Sequence, residues 1–149
     1  MNLKFEMKNT SNQKGKIYLW KYPSLQNHLP GWNLTADKDG CIFLSGLCSE
    51  FSKATKLTTV RLRLSIPTLA MTNIPIKSAK SFNAIELTLS YKPSYNWELT
   101  VEGKCVTLVF GFKYIDALYK AINDISRGEG GYSIGGGEEN TLIWVWRHH

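Results

Sequence analysis

The chain has 149 residues, 43% hydrophobic and 20% charged, a balance far from disordered polar chains, and it holds no apolar run long enough to span a bilayer. One domain of this length can bury about 68–70% of the surface its unfolded chain exposes, so no disulfide or metal staple is required. The formal net charge of +6 is uneven: residues 1–80 carry +8 and residues 81–149 carry −2, which points to an anionic partner for a surface built from the first half.

Leu3, Phe5 and Met7 alternate with Lys4, Glu6 and Lys8, the pattern of a half-buried strand. A polar turn over 9–15 leads to a second strand at 17–20, and 23–31 reads as loop with a turn at Pro30-Gly31. Residues 32–35 and 41–44 read as a hairpin around Asp37, Lys38, Asp39 and Gly40. Ser45 then caps a short helix over about 45–55, with Leu47, Cys48, Phe51 and Ala54 at helical spacing. Over 59–66 the alternation returns: Val60, Leu62, Leu64 and Ile66 face one way, Arg61, Arg63 and Ser65 the other.

Pro67 and Pro75 bracket an irregular connection. In the next strand Ile85, Leu87, Leu89 and Tyr91 face inward and Glu86, Thr88 and Ser90 face water. A two-residue turn at Gly103 and Lys104 predicts a hairpin over 97–110, with Glu102 opposite Cys105, Val101 opposite Val106, Thr100 opposite Thr107, Leu99 opposite Leu108 and Trp97 opposite Phe110. A slip of one residue would scramble its apolar face.

A helix over 113–127 buries Ile115, Leu118, Ile122 and Ile125, pairs Asp116 with Lys120 on its wet side, and stops at Gly128. A glycine-rich connection over 128–137 leads to a last strand at 142–147, with Leu142, Trp144 and Trp146 on one face and Ile143 and Val145 on the other. Apolar residues on both faces place that strand inside a sheet or under a helix. The expected fold is therefore a single α+β domain, a mostly antiparallel multi-stranded sheet with one short and one longer helix, with no internal repeat.

The motifs exclude more chemistry than they offer. Cys41, Cys48 and Cys105 form no C-x-x-C pair and read as buried free thiols in a reducing compartment. The glycines at 128–137 follow a helix and precede a strand, the wrong polarity for a phosphate cradle, and Glu129, Glu138 and Glu139 would repel an anion. His28 is the one internal histidine, beside Pro30 and without a nucleophile motif, so no catalytic residues, metal ligands or cofactor are assigned. Asp37 and Asp39 sit in turn-like sequence, and the five tryptophans read as core packing before stacking platforms. Arg61 and Arg63 share one strand face and, with Lys53 and Lys56 nearby in sequence, form the candidate partner-binding patch. The competing account pairs those arginines with Glu86, Glu98 or Glu102 on neighbouring strands.

Two stretches carry a resemblance. LPGWNLTADKDGCIFLSGL at 29–47, and AINDISRGEGGYSIG at 121–135 followed by LIWVW at 142–146, resemble a group of small bacterial proteins of unassigned function. The chain departs from that group's pattern at Gly131, where the group has Asp, and at Val145, where it has an aromatic residue. In size and style the chain is also similar to immunity proteins of polymorphic-toxin systems, an analogy that transfers no residue roles. The leading expectation is a non-enzymatic cytoplasmic binding protein with a protein partner, an immunity protein that sequesters a toxin domain by stoichiometric occlusion. Its basic surface fits an acidic toxin face, which disfavours a basic nuclease as the target. Alternatives are a nucleic-acid-binding accessory domain using the same basic sheet face, and a small-molecule binder or enzyme with a pocket near His28, Asp37 and Asp39. No membrane partner is expected.

Overall fold

The computed structural model describes residues 6–8, 13–22, 31–68, 82–136, 138 and 141–148. Leu3, Phe5, His28, Pro30, Pro75, Gly137, Glu139 and most of the 9–15 turn lie outside the described residues. The elements in chain order are β1 (Glu6–Lys8), β2 (Ile17–Lys21), β3 (Trp32–Ala36), α1 (Lys38–Lys53), β4 (Thr58–Arg63), β5 (Phe82–Asn83), β6 (Glu86–Tyr91), β7 (Trp97–Glu102) and β8 (Cys105–Phe110). A 3-10 turn at Phe112–Tyr114 then leads into α2 (Ile115–Ser126), after which come β9 (Tyr132–Ile134) and β10 (Ile143–Val145).

The α+β class holds, but the strands form two sheets. The first runs β1-β4-β6-β8-β7 and the second β5-β2-β3-β10-β9. Most pairings are antiparallel, whereas β1 with β4, β6 with β8 and β3 with β10 are parallel. The sheets meet where Ser65 N–H donates to Ile17 carbonyl at 2.8 Å and Ala84 N–H to Leu19 carbonyl at 3.0 Å. Helices α1 and α2 pack on each other and close the core, with Leu34 and Ile143 from the second sheet meeting Leu87, Leu89 and Leu108 from the first. The residual cavity there is about 30 Å³ and wholly apolar, with no polar partner for a water.

The expected hairpin at 32–44 is overturned. Asp37 is the N-cap of α1, its Oδ1 accepting from Gly40 N–H at 2.8 Å and Lys16 N–H at 2.9 Å. Turn and cap draw on the same aspartate chemistry, and the apolar spacing of Cys41, Leu44, Leu47, Cys48 and Phe51, all buried, decides for helix. The helix therefore begins at Lys38, well before 45, and Ser45 lies within it, its hydroxyl 3.4 Å from Asn123 Oδ1 on α2.

The hairpin of β7 and β8 takes the expected register residue for residue, from Trp97 with Phe110 to Glu102 with Cys105, and Gly103 supplies the turn with φ +62°. In β6 the inward face is Leu87, Leu89 and Tyr91; Ile85, expected inside, is 48% exposed and precedes the strand. Ser90, expected wet, is buried because its hydroxyl meets that of Thr59 on β4 at 2.9 Å. Helix α2 buries its expected stripe and ends at Gly128, whose φ is +78°. Gly128 N–H donates to Ile125 carbonyl at 3.0 Å and Glu129 N–H to Asp124 carbonyl at 2.8 Å, the paired bonds of a Schellman stop.

The glycine-rich connection is not all loop. Residues 132–134 form β9, antiparallel to β10, and β10 lies between β9 and β3 with Ile143 and Val145 buried, as its two-sided apolarity implied. Trp20, Trp32 and Trp97 are core residues; Trp144 and Trp146 are half-buried and stack at 6.4 Å. Cys41 and Cys48 are buried free thiols whose pKa values burial raises to about 11 and about 12, so both stay protonated; Cys105 is half-buried.

Candidate functional site

The outer face of the first sheet gathers the residues that the alternation had set aside. Its rows follow from the registers: Arg63 opposite Glu86, then Cys105 and Glu102; Arg61 opposite Thr88, then Thr107 and Thr100. Arg61, Arg63, Glu98, Thr100 and Glu102 are exposed, and Thr88 and Thr107 are half-buried. The face is thus polar and accessible, basic along β4 and acidic along β7.

Arg61 Nε lies 3.4 Å from Glu86 Oε1, so the cross-strand pairing account holds for one arginine. An exposed pair of this kind contributes only about 0–1 kcal/mol. Arg63 has no carboxylate within 4.0 Å among the described residues; its backbone is clamped instead, Gln13 donating to its carbonyl at 2.7 Å and accepting from its N–H at 2.9 Å. Glu98 and Glu102 stand three strand spacings away, roughly 14 Å, too far to pair with either arginine.

Lys53 and Lys56 do not join that row. Lys53 closes the last turn of α1, where its charge suits the carboxyl end of the helix, and Lys56 lies in the exposed connection before Thr58. At about 3.3 Å per residue, Arg63 is roughly 17 Å along β4 from that connection. The patch is therefore an arginine pair on the face, with the lysines flanking the far end of its strand.

A second cluster escaped the sequence reading. Asp124 is buried between Ile122 and Ile125 on α2, and its carboxylate accepts from Tyr132 Oη at 2.5 Å, from Lys120 Nζ at 2.9 Å and from Arg127. Lys120 thus pairs forward with Asp124 rather than back to Asp116. The one available signal was spacing, because Lys120 and Arg127 stand four and three residues either side of the aspartate. The Tyr132 hydrogen bond, then that from Lys120, hold Asp124 down to about 2, against the opposing push of burial. Burial, then the bond to Asp124, raises Tyr132 to about 12, so the phenol remains a donor. This clasp ties the glycine segment and β9 to α2.

Its pH dependence has a definite sign. A carboxyl depressed in the fold stabilises the protein above its unfolded value of about 3.9, and the contribution is lost as pH falls through about 2. In urea unfolding, Asp124→Asn is expected to be less stable than the parent at pH 6, and the gap to close between pH ~4 and ~2. A gap that stayed constant down to pH 2 would show that the charge does not hold the clasp.

An open groove of about 380 Å³ lies between residues 128–131 and the side of Trp146 and Arg147. Glu129 lines it, and Trp146 Nε1 is already engaged with Asn33 Oδ1 at 2.8 Å. Of the pocket expected near His28, Asp37 is engaged in the α1 cap and Asp39 is exposed in its first turn, while His28 lies outside the described residues. No helix among the described residues is long and apolar enough to cross a membrane. Compared with protein-family models, with curated proteins and with solved structures, the chain matches none.

Proposed function

We propose that this chain is a non-enzymatic binding protein that sequesters a protein partner, most concretely an immunity protein that neutralises a bacterial toxin domain by stoichiometric occlusion. The observation that carries the reading is the pair of exposed arginines side by side on a polar sheet face, one of them without a carboxylate partner among the described residues. Guanidinium groups so displayed recognise carboxylates in paired geometry and steer an acidic surface into contact. The same face also carries Glu86, Glu98 and Glu102, which an extended polyanion would meet within one footprint. That favours a folded acidic partner over nucleic acid, whose binding depends on unbroken phosphate neutralisation.

The test is a pull-down of the tagged chain from lysate of its native source, with and without nuclease, and then titration of the recovered partner. A nuclease-resistant partner at near-equal stoichiometry is expected. The double change Arg61→Ala and Arg63→Ala should then weaken binding about tenfold or more and flatten its salt dependence, with the fold unchanged. Unchanged affinity in the double variant removes the patch from the reading. Partners lost on nuclease treatment overturn it in favour of nucleic acid.

A further inference from the structure

The first sheet ends in a strand with nothing beside it among the described residues. β7 pairs with β8 on one side only, and it is the last strand in the order β1-β4-β6-β8-β7. The two-residue turn makes Glu102 with Cys105 a hydrogen-bonded pair, and alternation then gives Thr100 with Thr107 and Glu98 with Val109 the same role. The bond from Gly111 N–H to Asn96 carbonyl, 3.0 Å, continues that series. The N–H and C=O groups of Leu99 and Val101 therefore point away from β8, and no backbone bond reaches them from the described residues. Trp97, at the other end, lies under Thr141, whose carbonyl accepts from its Nε1 at 2.8 Å, so the free stretch is 99–101.

The side chains along that edge say what fits it. Glu98, Thr100 and Glu102 stand exposed in a line on the outer face, Glu98 accepting from Tyr95 Oη at 3.0 Å, and Val101 is 48% exposed on the other face. A second copy is a poor occupant. Paired antiparallel about Thr100, the register of greatest overlap, Glu98 of one copy would oppose Glu102 of the other, twice, and like charges directly opposite repel. A strand with a basic residue at each end of a five-residue stretch would answer both glutamates, and its intervening apolar residues would flank Leu99 and Val101.

We infer that the β7 edge is a docking site for an extended, basic segment of a protein partner, which adds as a sixth strand to the first sheet. The inference stands on the backbone edge of β7 and does not use the arginine pair, which lies on the same outer face but on β4, three strands away, and bears the opposite charge.

The probe is a capped peptide with the core Lys-Val-Thr-Val-Lys, whose symmetry suits either strand direction, set against the same peptide with Glu at both ends. Titrated into the full chain at low salt and followed by backbone amide resonances, the basic probe should shift Leu99 and Val101 and slow their hydrogen exchange. Glu98→Lys with Glu102→Lys should weaken it about tenfold or more and create binding of the acidic probe. Val101→Pro removes one outward N–H without breaking a bond to β8 and should also weaken it; if that variant misfolds, the charge exchange still decides. Shifts confined to other surfaces, equal binding of the two probes, or no shift at millimolar probe would each overturn the inference, leaving the glutamates as guards of a bare edge.

Discussion

Phe51→Ala is expected to lower the unfolding free energy by about 3–5 kcal/mol, the usual range for deleting a buried aromatic ring. Phe51 sits in the last turns of α1 and is 1% exposed. Its ring meets Phe110 of β8 edge-on at 5.5 Å and Tyr91 of β6 at 5.8 Å, and those two lie 5.5 Å from each other. Such a trio adds geometric preference to its buried area. The site also lines the existing apolar cavity, so removal of the ring enlarges a void instead of letting the walls close. Against a total of about 5–15 kcal/mol this is a large share, and Phe51→Leu should cost much less, under about 1.5 kcal/mol. Urea midpoints at equal slope measure both. Equal losses for the two variants would mean that restoring apolar bulk rescues nothing and that the ring contacts carry the whole effect.

What the sequence made legible was local. The β7–β8 register follows from one turn and one alternation, and α2 from its buried stripe and its glycine stop, each readable within about fifteen residues. The start of α1 was not legible from the turn residues, because aspartate with a glycine soon after serves a β-turn and a helix cap by the same side-chain bond; only the spacing from Cys41 to Phe51 separates them. The parallel pairing of β3 with β10 joins Trp32 to Ile143 across most of the chain, and nothing in either segment names the other. β5 and β9, of 2 and 3 residues, are too short to carry a period. In the candidate site, alternation alone put Arg61 and Arg63 on one face and Glu86 within reach. It could not show that Lys53 and Lys56 lie apart from them, since that depends on where α1 hands over to β4. Asp124 was missed because a carboxylate between two buried isoleucines reads as an exposed neighbour until Tyr132 is brought against it by a tertiary contact.

Gly111→Ala should be as damaging as the loss of Phe51, for a reason of space alone. Gly111 follows β8 in extended backbone, φ −111° and ψ −177°, which any residue adopts. A Cβ there would fall 1.7 Å from Tyr95 carbonyl oxygen and 2.6 Å from its carbon, both backbone atoms with no rotamer to yield. The connection over 92–96 cannot simply retreat. Gly111 N–H donates to Asn96 carbonyl at 3.0 Å, Phe112 N–H to Pro93 carbonyl at 3.1 Å and Lys92 N–H to Phe110 carbonyl at 3.0 Å, so the segment and the end of β8 hold one another. Relief of the clash breaks two or three of these bonds, at about 0.5–1.5 kcal/mol each, and adds the strain of overpacking, typically about 1–3 kcal/mol. A loss of about 3 kcal/mol or more is expected. Gly103→Ala is the matched control: its φ of +62° disfavours a side chain, but nothing stands within 4 Å, so about 1–2 kcal/mol should be lost. If urea unfolding found Gly103→Ala the worse of the two, the hold of residues 92–96 on the end of β8 would be looser than these bonds require, and the start of α2 would be free to shift with it.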